Sequence, residues 1–213
     1  MPFLPAPDIL LAFTAASVLL ILTPGPDMTF FLGQTLTAGR ARGFAALFGA
    51  MTGLCVHSML AAFGLSALLV ASAEAFAILK IVGVAYLLWL ALQAIRQGTA
   101  LTLAQGAAKP QSLRRVFLTG AGINLLNPKI VMFFLTFLPQ FVSASDPQAS
   151  GTLFFLGLYF IVLCLPICIP MILMANRFTG ALRRSPRIMR AFDWLFAGLM
   201  GAFAVRLLLA RSS

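Results

Sequence analysis

Two charged residues stand inside long apolar stretches of this chain, each beside proline. The first is Asp27, in Thr23-Pro24-Gly25-Pro26-Asp27. The second is Lys129, in Asn124-Leu125-Leu126-Asn127-Pro128-Lys129. Proline lacks a backbone N–H and clashes with the preceding helical turn. Gly25 between two prolines tolerates backbone angles that other residues avoid. A continuous helix therefore cannot run through either stretch. At membrane depth each freed backbone group costs several kcal/mol unless protein, water or a ligand meets it. A charge in such a segment is costly and usually has a use. Broken helices with ionisable residues at the break are how transporters build midplane sites. The structural alternative is a proline kink whose Asp caps the second half-helix.

The chemistry open to these residues is the recognition of small polar ions. Asp27 can carry a proton or serve as counter-ion to a substrate ammonium. It sits at the restart of its helix, where the positive dipole end points. Half-helix N-termini and Lys129 suit a carboxylate. Lys129 can instead neutralise Asp27 as a buried pair without touching ligand. Asn124 and Asn127 are three residues apart and share a helix face. Their amides both donate and accept, so they can bind ligand or satisfy backbone freed by Pro128. For Asn127 the backbone role is favoured. His57, the only histidine, titrates nearest physiological pH and suits proton coupling. Its alternative is a hydrogen bond to a neighbouring helix. Gln34 lies two turns after Asp27 on the same face, either lining the same path or joining helices.

The elements that must position these residues are membrane helices. The chain has 213 residues, of which 61% are hydrophobic and 9% charged. Soluble domains carry about 25% charged residues. Several apolar stretches exceed the roughly 20 residues that cross a bilayer. The first residues, Met1 to Pro7, lack the basic region of a signal peptide, so the first span is expected to be retained. Cys55, Cys164 and Cys168 lie in apolar spans, with no disulfide or zinc spacing, and read as small apolar fillers.

Six spans are expected, near 8–38, 43–71, 75–96, 113–142, 151–175 and 191–210. Gly39-Arg40-Ala41-Arg42-Gly43 reads as a basic turn after the first. Gly49 and Gly53 in the second are small residues four apart, which let another helix approach closely. Residues 143–150 read as a polar turn. Asp193 and Arg190 read as an interfacial ion pair. The fold class is thus an all-α integral membrane protein with one transporter domain. Residues 1–97 form a first three-helix repeat, 98–112 a linker, and 113–213 a second repeat. The first helix of each repeat is broken by proline. Three spans per half make the repeats inverted, an arrangement that marks transport sites.

Loop charge gives an orientation. Arg40, Arg42, Arg96, Lys109, Arg114, Arg115, Arg177, Arg183, Arg184, Arg187 and Arg190 follow spans one, three and five, which is eleven of the 15 Lys and Arg residues. By the positive-inside rule these loops face the cytoplasm and both termini face outside. The net charge of +10 is thereby assigned to topology rather than to nucleic acid.

These motifs, in this order, resemble the lysine exporter (LysE/RhtB) family of bacterial amino-acid exporters. Pro24-Gly25-Pro26-Asp27 is similar to its PGP-N/D signature. The 39–43 turn with Gly49, Gly53 and His57 resembles its next block. Ala75 to Lys80 through Gly83, Ala85, Tyr86 and Leu87 resembles its third helix. Asn124 to Lys129, continuing to Phe133-Phe134 and Leu138-Pro139-Gln140-Phe141, carries the most specific likeness. The resemblance implies export of amino acids or related zwitterions across the bacterial cytoplasmic (inner) membrane, driven by the proton gradient. It implies no enzyme activity, no cofactor and no metal. The expected partners are a small amino-acid-like substrate, membrane lipid and the proton gradient, with a homodimer left open. Asp27 stands where many members carry Asn. Leu54 stands where many carry a polar residue, which argues against substrate contact there.

Competing classes fit less well. A cation or metal exporter would want clustered carboxylates, His or Cys. An intramembrane enzyme would want a nucleophile beside a base, whereas His57 and Ser58 are adjacent and point to different helix faces. A scaffold leaves two charged breaks at membrane depth without a role.

The charge bias generates a topological prediction. In a background with the native cysteines replaced by serine, a cysteine at Ser150 should react with an impermeant maleimide from outside. One at Ser185 should react only after permeabilisation. Reversed accessibility would reject the orientation.

Overall fold

A computed structural model describes residues 5–65, 111–142 and 148–184, with further single residues between 78 and 96 and between 190 and 205. Among the described residues the fold is all-helical. Helix α1 (Pro7–Leu22) and α2 (Pro26–Ala38) meet at the first proline break. Helix α3 (Arg40–Met59) continues as a π-helical turn, Leu60–Leu65. Helix α4 (Leu113–Leu125) and α5 (Pro128–Met132) meet at the second break. A π turn, Phe133–Phe137, and a 3-10 turn, Leu138–Phe141, extend α5. Helix α6 (Ala149–Leu173) and α7 (Ala175–Arg184) follow.

Two of these helices are long and apolar enough to cross a membrane, and up to four spans result if each bent pair is one span. They correspond to expected spans one, two, four and five. Spans three and six and the 97–112 linker lie largely outside the described residues, as does Asp193. The six-helix count and the inverted repeat therefore stay expectations. Both broken pairs bend by nearly the same angle, 50° between α1 and α2 and 49° between α4 and the segment from Pro128.

Two local readings of the sequence are corrected. The basic turn at 39–43 is only one residue wide. Gly39 alone takes a left-handed φ, of 90°, and α3 begins at Arg40. Arg is a good helix former, so the segment continues as helix once glycine has turned the chain. Part of the basic loop after span five is also helical, since Arg177, Arg183 and Arg184 belong to α7. Arg40 donates to Leu173 O at 2.8 Å, and Arg42 donates to Gln111 O at 2.7 Å. These bonds bring the end of α2, the start of α4 and the end of α6 to one end of the bundle.

Lipid tails are as apolar as the helices, so close packing rather than water exclusion holds such a bundle. Small residues allow it. A Cβ on Gly49 would meet Phe117 O and lie 2.9 Å from Ala121 N, and one on Gly120 would meet Ala46 O. These glycines let α3 and α4 touch backbone to backbone. At the other side of the bundle Phe13 of α1 stacks on Phe137 at 6.0 Å, and Phe133 packs on Phe160 of α6 at 4.7 Å.

The crossing predicts a contrast between two glycines. Gly49→Ala forces the α3–α4 backbones apart and should destabilise by about 1–3 kcal/mol, the usual range for overpacking. Gly33, where an added Cβ meets nothing within 4 Å, should accept Ala without loss. Melting in detergent measures both; equal effects would contradict the close crossing.

Candidate functional site

Each proline break leaves a particular carbonyl without its helical donor. In an α-helix the N–H of residue i bonds the carbonyl of residue i−4. Pro24 has no N–H, so the carbonyl of Leu20 is freed. Pro128 likewise frees the carbonyl of Asn124.

At the first break, Thr23 closes α1 by donating its N–H and its hydroxyl to Leu19 O, at 3.0 and 2.7 Å. Pro26 then opens α2, and Asp27 stands in its first turn. The freed Leu20 O accepts from Lys129 Nζ at 3.2 Å, and Thr23 O accepts from the same ammonium at 2.9 Å. The negative end of the α1 dipole points at this cation. Gly25 makes the approach feasible, because a Cβ there would lie 3.0 Å from Lys129 Nζ.

At the second break, Asn127 caps α5. Its Oδ1 accepts from Lys129 N at 3.1 Å, while its Nδ2 donates to Asp27 Oδ2 at 2.9 Å. Asn124 Nδ2 donates to the same oxygen at 3.0 Å. The freed Asn124 O accepts from Asn127 N at 3.0 Å, and His57 Nε2 lies 3.4 Å from it. With its proton on Nε2, His57 donates to this carbonyl. The ring also stacks on Phe134 at 5.4 Å. Asn124 fits against Gly53, where a Cβ would lie 2.5 Å from its Oδ1.

Asp27, Asn124 and Lys129 line one cavity of about 50 Å³ between the breaks and α6. Buried waters need about 10–15 Å³ each in this measure, so there is room for a few waters or the polar end of a small molecule. The rest of the wall is apolar apart from two thiols. It includes Leu20, Met28, Phe31, Leu54, Ile130 and Phe160, with Cys164 and Cys168. Lys129 and Asp27 hydrogen-bond to other groups across this space. Asp27 Oδ1 is buried and has no hydrogen-bond partner among the described residues.

The sequence candidates thus divide. Asp27, Asn124 and Lys129 share the cavity. Asn127 stands behind Asp27, and His57 behind Asn124. Pro24, Gly25, Pro26 and Pro128 shape the breaks without forming the wall. Gln34, two turns further along α2, is half-buried and outside the wall. Residue 54 is part of the wall despite being leucine. The cysteines read as fillers are wall residues as well. Their one-turn spacing signalled a shared face, but not that the face meets the breaks.

Comparison with known proteins places the chain. Residues 18–211 match the LysE type translocator family. The homoserine/homoserine lactone efflux protein of Salmonella typhi is 34% identical over 193 residues, covering 88% of this chain and 90% of that protein. The leucine efflux protein of Klebsiella pneumoniae subsp. pneumoniae is 24% identical over 197 residues, covering 92% and 93%. An uncharacterized membrane protein of Vibrio cholerae is 30% identical, covering 89% and 91%. No solved structure matches the chain. From the match across nearly its whole length, this chain belongs to the LysE type translocator family.

Proposed function

We propose that the chain is a secondary exporter of amino acids or closely related small zwitterions, exchanging them for protons across the cytoplasmic membrane. The observation that carries this reading is the cavity at the two breaks, with Asp27 and Lys129 in one wall. The relatives named for homoserine, homoserine lactone and leucine efflux point to the same substrate class.

The physical chemistry of Asp27 suggests the coupling. A bare carboxylate at membrane depth is costly, so it holds either a proton or a cation. Oδ2 is engaged by Asn124 and Asn127, which leaves Oδ1 as the exchangeable position. A proton and a substrate ammonium cannot occupy that oxygen together. If the cavity opens alternately to each side, this exclusion makes proton entry and substrate exit obligatory partners. The two bends of similar angle support inverted repeats that rock about the cavity, and the loop charges support termini outside.

Reconstituted vesicles test the reading. Radiolabelled leucine and homoserine should move against their gradients when a proton gradient is imposed, and fail to accumulate without it. Asp27→Asn should abolish this accumulation while the protein still purifies as a monodisperse species. Undiminished accumulation by Asp27→Asn would overturn the coupling role.

Pro128→Ala restores the helical N–H four residues after Asn124 O. The variant should straighten the second break, draw Asn124 from Asp27 and reduce export at normal expression. Export at the unmodified rate would remove the second break from the mechanism.

A further inference from the structure

We infer that the substrate is recognised through its ammonium, by Asp27, and that Lys129 fastens the broken helix instead of binding the substrate carboxylate. The inference rests on the proposed reading of the cavity and assigns unequal roles to its two charges.

Lys129 is committed to the fold. Its ammonium has three N–H donors. Two are used by Leu20 O and Thr23 O, one of which lost its helical partner to Pro24. The slot is fitted to this group, since a Cβ on Gly25 would crowd both Nζ, at 3.0 Å, and Cε, at 3.3 Å. Drawing the ammonium onto a carboxylate would leave both carbonyls bare, and each bare group at membrane depth costs several kcal/mol. Any donation left to the third N–H serves an ester or amide oxygen as well as a carboxylate. A full negative charge on the substrate is therefore not required.

Asp27 is differently placed. Two amides hold Oδ2 and fix the carboxylate, while the buried Oδ1 accepts no hydrogen bond among the described residues. A primary ammonium supplies the missing donor together with the compensating charge. The wall of the cavity that Asp27 lines is largely apolar, with Met28, Phe31, Leu54 and Phe160. The ligand class is a compact primary amine with an apolar or neutral side chain. Amino acids, α-amino amides and α-amino lactones belong to it; N-acylated amino acids and simple carboxylic acids do not.

Binding separates this inference from export. Purified protein in detergent is titrated with leucine, leucinamide, N-acetylleucine and 4-methylpentanoate, and the melting temperature is followed. Leucine and leucinamide should both raise it, with apparent affinities within about tenfold, or 1.4 kcal/mol, of each other. N-acetylleucine and 4-methylpentanoate should leave it unchanged. Asp27→Asn should remove the shift given by leucinamide. Lys129→Met should melt earlier yet keep that shift, and its loss overturns the inference; if the variant does not fold, the near-equal affinity for leucine and leucinamide, which a carboxylate contact with Lys129 would split, decides. Stabilisation by N-acetylleucine equal to that by leucine overturns the inference. So does stabilisation by leucine without leucinamide, or by no compound at all. If both amines bind through Asp27 but neither crosses vesicles under a proton gradient, the exporter reading falls and the ammonium site stands.

Discussion

A proline in a membrane helix removes one N–H and strands the carbonyl four residues before it, where lipid offers no replacement donor. That constraint governs the centre of this protein. At the first break Leu20 O is stranded, and the Lys129 ammonium meets it at 3.2 Å. At the second, Asn124 O is stranded, and Asn127 N and the His57 ring approach it, at 3.0 and 3.4 Å. In each case a nitrogen-bearing side chain from another helix approaches the stranded carbonyl. The breaks are thereby stitched to one another and to α3.

The stitching explains why the surroundings are so closely specified. Lys129 reaches α1 past Gly25, where a Cβ would lie 3.0 Å from its Nζ, and Asn124 reaches Asp27 beside a glycine at 53. The backbone contact of α3 with α4 at Gly49 and Gly120 holds that second break in place. Asn127 joins structure to site in one residue. Its Oδ1 caps α5 and its Nδ2 holds Asp27, so the helix restart and the carboxylate geometry cannot vary independently.

The inferred division of labour between the two charges has a functional sense. A cation met by two carbonyls is fixed, because releasing it exposes both. A carboxylate with one satisfied and one vacant oxygen is held in place yet can still exchange a proton or a cation. One charge thus suits scaffolding and the other suits turnover. On the proposed reading, the apolar wall limits the size and polarity of what can accompany an ammonium there.

Much of this was legible in the sequence, because it depends on single residues and local composition. Apolar length determined the membrane class. Pro24, Pro26 and Pro128 determined where helix must fail, and Asp27 and Lys129 marked those failures as candidate sites. The motifs around them determined the family. Single-residue chemistry does not say which distant group meets a freed carbonyl. Leu20 and Lys129 are 109 residues apart, and only the folded chain brings them together. The tertiary structure therefore decided which groups the Lys129 ammonium donates to, the α1 carbonyls of Leu20 and Thr23. It also placed Leu54, Cys164 and Cys168 in the cavity wall and left Gln34 outside it. Helix periodicity defines a face, but packing alone decides what that face meets.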